Sequence, residues 1–271
     1  MSDSAQTVPS VRVLGTRVDG YSYDTATIEI IRRAKRKRKG GYVCAVNVHM
    51  VMEAVDDPGF KETVNGSVMS VPDGMPIVWA MKLLGISAQR RVYGPTLMTR
   101  CLEAAAREGI PVGLFGGRPE VLSSLTENLG KKYPTLRVSY AYSPPFRTLT
   151  TDETSNVIQN IRDASPEILF VGLGCPKQER WMARHASSLN TVMIGVGAAF
   201  DFHAGSLPMA PSILQHVGLE WAFRLGVEPR RLFLRYAKHN PRFITRFLLQ
   251  LLNIHRRGRM EKKGSPPKKG G

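Results

Sequence analysis

Ser67-Val68-Met69-Ser70-Val71-Pro72-Asp73-Gly74-Met75-Pro76 decides the fold. Its first five residues form an apolar run that reads as a short buried strand, and the apolar segment Ile77 to Leu84 that follows reads as a helix. Asp73 therefore sits on a strand-to-helix turn. In open α/β sheets, ligands bind past the carboxyl ends of the strands, at such turns. Pro72 and Gly74 are expected to impose an unusual backbone path there. Two readings of Asp73 stand side by side: a general base held on a stiff turn, or a cap on the helix that follows.

The same grammar extends in both directions. Upstream, Val11 to Gly20 reads as a hairpin or edge element, Thr25 to Arg36 as a helix, Tyr42 to Val48 as a strand reaching Asn47, and Met50 to Val55 as a helix broken by Asp57-Pro58-Gly59. Downstream, Pro95–Glu108, Glu120–Lys131, Asp152–Asp163 and Pro176–Ser188 have helical patterns. They alternate with strands at Val112–Phe115, Leu136–Tyr142, Ile168–Leu173 and Val192–Val196. Short apolar strands between helices of 10–15 residues imply a mostly parallel sheet with helices on both faces. Beyond Gly205 strands cease, and helices are expected over Ile213–Leu225, Pro229–Lys238 and Pro241–Ile254. The expected division is an α/β catalytic domain over 1–205, a helical appendage over 206–254 and a basic tail over 255–271.

Composition narrows the function classes. The 271 residues are 42% hydrophobic, enough for a sizeable core. Cys44, Cys101 and Cys175 are odd in number and lack a CxxC spacing, so neither a disulfide framework nor a zinc site is expected, and the thiols suit a reducing compartment. The polar N-terminus does not read as a signal peptide, and no segment offers ~18 continuous apolar residues for a spanning helix. The net charge of +16 is concentrated: 13 Lys and Arg lie between Arg230 and Gly271 against the single acid Glu261, and seven more lie between Arg32 and Lys39. Phe243, Ile244, Phe247, Leu248, Leu251 and Leu252 recur at helical spacing among Arg242, Arg246, Arg256 and Arg257. That pattern fits a basic amphipathic helix lying in an anionic membrane interface, or a packing helix with a solvated charged face. A nucleic-acid-binding protein is the rival class for so basic a chain, but the charge is terminal and no aromatic-basic platform accompanies it.

Three further strands end in glycine: Gly116-Gly117, Gly172-Leu173-Gly174 and Gly195-Val196-Gly197, the last running on to Asp201. Glycine lets a ligand approach the backbone, and a helix N-terminus offers free N–H groups to phosphate. Together with Asn47 and Asp73 at two other strand ends, these turns outline a ligand-binding rim. Lys177 reads as a phosphate contact or an ordinary exposed lysine, and Gln178 has both donor and acceptor for a sugar or base. GxGxxG and GxxxxGK[ST] are missing. No Asp-X-Asp is present, and the six histidines do not pair at ligand spacing along the chain, so neither a metal nor another cofactor is expected.

The ordered set Asn47, Pro72-Asp73-Gly74, Gly116-Gly117, Pro176-Lys177-Gln178-Glu179, Gly195-Val196-Gly197, Phe200-Asp201, Gly218-Leu219-Glu220-Trp221 and Glu228-Pro229 with Arg231 resembles the WecG/TagA/CpsF glycosyltransferase family, from about Val11 to about Tyr236. The resemblance implies a Rossmann-like fold and a metal-independent inverting transfer. The sugar passes from a UDP-sugar to a polyprenyl-diphosphate-linked acceptor, at the cytoplasmic face of the membrane, in envelope or exopolysaccharide synthesis. It implies Asp73 as the base and Asn47 and Gln178 as substrate contacts, with Gly74, Gly116, Gly117, Gly174, Lys177, Gly197 and Asp201 completing the substrate-binding set. Arg224, Arg231 and Arg235 fall to the acceptor and diphosphate. An anionic inner-membrane surface is the expected partner, nucleic acid is not, and homo-oligomerisation stays open. Ala45 stands where members often carry Thr, and Met209 where Arg usually precedes Ala-Pro. Losing that arginine removes a rigid anion fork, so a neutral donor such as UDP-glucose or a UDP-N-acetylhexosamine stands beside an acidic one.

Overall fold

Runs such as Ile168-Leu169-Phe170-Val171 have no polar face, so they are stable only as strands covered on both sides. A computed structural model, which describes residues 8–36, 40–211, 214 and 219–264 (apart from the side chains of Arg231 and 257–264), bears this out. Six strands, β3 (Gly41–Val46), β4 (Met69–Pro72), β5 (Val112–Gly116), β6 (Val138–Tyr142), β7 (Ile168–Gly172) and β8 (Val192–Gly195), form one sheet in the order β4-β3-β8-β7-β5-β6. Every neighbouring pair is parallel. The hairpin is present as well: β1 (Ser10–Val13) pairs antiparallel with β2 (Thr16–Asp19). Leu14 and Gly15 turn it with φ of 52° and 87°, the two positive values that match a hairpin to strand twist.

Alternate strand residues serve opposite faces. Val43, Ile168 and Phe170 pack with α1 (Tyr23–Lys35), α5 (Gly94–Glu108), α6 (Pro119–Lys132) and α9 (Ala199–His203). Tyr42, Cys44, Leu169 and Val171 pack on the other face with α2 (Val48–Asp56), α3 (Pro58–Asn65), α4 (Met75–Leu83), α7 (Thr151–Ala164) and α8 (Lys177–His185). Parallel strands point all their carboxyl ends the same way. The ends of β4, β3, β8, β7 and β5 therefore form one rim, carrying Asp73, Asn47 and the glycine turns.

The first half of the helix expected over Ile213–Leu225 lies mostly outside the described residues, and the helix described there begins at Glu220. Several bounds shift by a few residues, and two differences matter for packing. Asp57-Pro58-Gly59 ends α2 but also starts α3: Asp57 accepts a hydrogen bond from Phe60 N–H at 2.9 Å, and Pro58 takes the first turn, where a missing N–H costs nothing. Beyond α10 (Glu220–Val227), the segment expected as two helices parted at Pro241 is one helix, α11 (Pro229–Gly264), with Pro241 inside it. An interior proline costs about 3 kcal/mol. Tertiary contacts on both sides of it offset that cost. His239 is buried before it, Phe243 and Phe247 enter the second core after it, and Arg242 grips Asp56 on α2 with two hydrogen bonds of 2.9 and 2.5 Å. Farther along, Gln250 closes on the hairpin, accepting from Leu14 N–H and donating to the Arg12 carbonyl, each at 2.8 Å.

Truncating a buried aromatic in this seam removes apolar contact and leaves a cavity. Phe243→Ala is expected to cost about 3 kcal/mol in urea unfolding, whereas Leu252→Ala, 57% exposed on the same helix, is expected to stay within about 0.5 kcal/mol. Equal losses for the two would contradict the docking of α11.

Candidate functional site

The Asp73 turn floors a cleft walled by the C-terminal helices. Asn47, His49, Gly74, Arg91, Glu220, Trp221, Arg224, Arg235, Tyr236 and His239 share its lining with Asp73. Trp221 on α10 and Tyr236 on α11 meet edge to face, with ring centroids 6.2 Å apart. Arg224 lies over the Phe202 ring at 5.3 Å, which ties α10 to α9. Arg235 lies over the Tyr236 ring at 5.7 Å. Arg231 belongs to α11, but its side chain lies outside the described residues.

Asp73 does not cap the helix that follows it. Gly74 is the N-cap of α4 and supplies no side chain; its φ of −111° and ψ of 143° are ordinary extended backbone, so the unusual path expected at this turn is not observed. Asp73 instead reaches the start of α5, where Gly94 N–H donates to its Oδ1 at 3.0 Å. Arg91 flanks it: Nε donates to the Asp73 carbonyl at 2.5 Å, Nη2 lies 3.8 Å from Oδ1, and Nη1 donates to Glu220 Oε2 at 2.6 Å. One guanidinium thus joins the β4 turn to α10. The carboxyl group is 17% exposed, at the cleft. Burial pushes its pKa above the ordinary value of 3.8, while Arg91 and the Gly94 N–H restrain the rise. A carboxylate raised in this way, opening on a cleft, has the properties of a general base.

Asn47 combines two duties. Its oxygen caps α2 by accepting from Met50 N–H at 3.1 Å, and the residue lines the cleft beside Asp73. The cap occupies only the oxygen and leaves the amide donors for other work.

Side-chain and backbone contacts within the fold tie the glycine turns of the rim together. Gln178 is buried, and its Oε1 accepts from Gly174 N–H and Gly197 N–H, each at 3.2 Å. Its Nε2 donates to Glu179 Oε1 at 2.6 Å. Gln178 is therefore a clasp between the β7 and β8 turns, engaging one backbone donor of each. Gly116 meets a packing demand: at φ +119°, a Cβ there would fall 2.6 Å from the Gly172 carbonyl carbon. Gly117 N–H donates to the Gly172 carbonyl at 3.1 Å. Lys177 is exposed, and Asp201 lies 3.8 Å from Arg118.

The structure also joins residues that linear spacing leaves apart. His49 and His239 stack with ring centroids 5.0 Å apart, so two of the histidines do meet. Arg91 had no assigned role in the sequence. Its one signal was position: a charged residue directly before the buried pair Val92-Tyr93 and the helix start Gly94-Pro95. Glu220 and Trp221 were visible as part of a motif without a function attached to them.

Comparison with known proteins shows the family of the chain. A family model described as Glycosyl transferase WecG/TagA/CpsF family matches residues 11–257. An N-acetylglucosaminyldiphosphoundecaprenol N-acetyl-beta-D-mannosaminyltransferase of Staphylococcus aureus is 30% identical over 220 residues, covering 79% of this chain and 85% of that protein. The protein of the same name from Bacillus spizizenii is 27% identical over 213 residues, covering 78% of this chain and 80% of the relative.

The clasp carries a pH signature of its own. Glu179 is fully buried, and burial raises its pKa from 4.5 to about 7. The fold thus favours the protonated acid, so its contribution to stability is complete below about pH 4.5 and is lost as pH rises toward 7. Glu179→Gln removes this dependence and keeps an acceptor for Gln178. The variant is expected to gain stability over the parent progressively from about pH 5 to about pH 8, by up to about 3 kcal/mol. A pH-independent difference in denaturation midpoint would contradict the assignment.

Proposed function

Given that the chain belongs to the WecG/TagA/CpsF family of glycosyltransferases, we propose that it transfers a sugar from a UDP-sugar donor to a polyprenyl-diphosphate-linked saccharide. An N-acetylhexosamine is the favoured sugar and N-acetylglucosamine the favoured acceptor residue. The relatives' names support both choices: they specify N-acetylmannosamine transfer to N-acetylglucosaminyldiphosphoundecaprenol. The observation that carries the reading is Asp73, a largely buried carboxylate of raised pKa on the floor of a cleft whose far wall holds Arg224 and Arg235.

In this reading Asp73 takes the proton of the acceptor hydroxyl as its oxygen attacks the anomeric carbon. The UDP oxygen departs from the opposite face, and the configuration inverts. Arg91 holds Asp73 in place and keeps it ionised. Arg224 and Arg235 meet the diphosphate charges of donor or acceptor, a task for fixed cations in a site shielded from water. The reaction centre then needs no metal ion. The aromatic pair Trp221 and Tyr236 offers flat apolar surface to a sugar ring, and Asn47 offers amide donors to its hydroxyls.

The outer surface of α11 supports membrane contact. Ile244, Leu248, Leu249, Leu252 and Ile254 are all at least half exposed, and Arg246 stands among them. Among the described residues no helix is long and apolar enough to cross a membrane. The proposal is therefore peripheral attachment to the anionic inner leaflet, with α11 lying in the interface.

Incubation with a panel of UDP-sugars and a short-chain lipid-diphosphate N-acetylglucosamine acceptor, read by mass spectrometry, tests the reaction. One transferred N-acetylhexosamine is expected. Asp73→Asn should lower turnover about 10²–10⁴-fold with donor binding preserved; near-normal turnover would remove Asp73 from the role. Sedimentation with phosphatidylglycerol vesicles tests attachment. Binding should weaken with salt, each basic side chain near the surface being worth about 1 kcal/mol, and should fall in the triple variant Ile244→Ser, Leu248→Ser, Leu252→Ser. Undiminished binding of that variant would overturn the membrane reading.

A further inference from the structure

At the wall of the cleft, α2 and α11 bring together three side chains with metal-binding chemistry. His49 and Glu53 are one turn apart on α2 and so share a face of that helix. His239 approaches from α11. One potential ligand atom from each of the three lies within 4.8 Å of the others, and His239 Nε2 is 3.7 Å from Glu53 Oε1. The two imidazoles stack at an interplanar angle of 24°. Their Nδ1 atoms are shielded from solvent, with no hydrogen-bond partner among the described residues. A buried ring nitrogen left in this state carries an uncompensated desolvation cost.

We propose that His49, Glu53 and His239 form a binding site for a divalent transition-metal ion of the zinc class, which fastens α11 to α2 at the edge of the cleft. Two imidazoles and one carboxylate are a donor set for zinc, with a fourth position left to water or another oxygen. Magnesium and calcium prefer more oxygens than the site offers. Zinc holds its ligands at about 2.0–2.1 Å, which puts tetrahedral neighbours about 3.4 Å apart. The present spacing closes to that with roughly an ångström of side-chain adjustment. Opposing the ion are Arg235 beside His49, Lys238 beside both rings and Arg242 beside His239, the last engaged by Asp56. His49 and His239 both line the cleft, so the fourth position opens toward it. The ion's role is to staple a helix. The reaction proposed above does not depend on it, and the site was hidden from the sequence because its third ligand lies on the far C-terminal helix.

The test uses the full-length, untagged protein, stripped with a chelator and dialysed. Zn²⁺ alone is titrated in competition with a chromophoric chelator, and thermal unfolding is followed with and without the ion. One equivalent of saturable binding is expected, together with a rise in melting temperature. His239→Asn and Glu53→Gln should each weaken binding by more than about tenfold, since even loss of a supporting partner costs that much, and should abolish the thermal shift. Glu53 is partly exposed and makes only the long contact to His239, so Glu53→Gln keeps the test decisive if His239→Asn misfolds. Failure to find a one-equivalent site, or binding equally tight in the Glu53→Gln protein, would overturn the proposal.

Discussion

Arg91 binds two carboxylates that would otherwise repel: Asp73 at the end of a central-layer strand, and Glu220 at the first turn of α10. All three side chains are largely withdrawn from water, and their opposite charges lie close together. A guanidinium presents several donors in a fixed plane and can serve both acids at once. The consequence is mechanical as well as electrostatic. Arg91 restrains the rise of the Asp73 pKa that burial causes, and the arginine keeps its second partner only while α10 is docked. Removing one member of such a cluster leaves buried charge uncompensated, which is far more costly than the cluster's net worth. The cleft, its closure by the C-terminal helices and the elevated pKa of Asp73 are thus parts of one arrangement.

A second constraint works on the neighbouring strands. The turns after β7 and β8 would each leave a backbone N–H without a partner, and Gln178 satisfies both with a single oxygen. Its orientation is in turn set by Glu179, whose carboxyl group lies in the core beside Cys175. Gln178, expected as a substrate contact, also holds the scaffold. The cleft opens over β3 and β4, where Asn47 and Asp73 stand, and its cations Arg224 and Arg235 come from α10 and α11.

The long helix α11 reconciles two readings of one sequence pattern. Phe243 and Phe247 are core residues, so it is a packing helix; Ile244, Leu248 and Leu252 face outward among basic residues, so a second apolar stripe remains uncovered. Pro241 sits within this helix because the contacts before and after it outweigh its local cost.

The fold was legible from local pattern. Strands such as Ile168–Gly172, flanked by helices with turn residues at their ends, admit little other than a covered parallel sheet, because period and turn chemistry are properties of neighbouring residues. Asp73 and Asn47 could be singled out for the same reason: each stands directly at a strand's carboxyl end. The sequence by itself therefore determined the layers, the rim and one carboxylate on it. Only tertiary structure decided what surrounds that carboxylate. Arg91 bonds Glu220 from far along the chain, Gln178 spans two separate turns, and His239 joins His49 across two helices. Such pairings arise from how distant elements dock, and burial and charge compensation act between groups in space, where separation along the chain gives no guide.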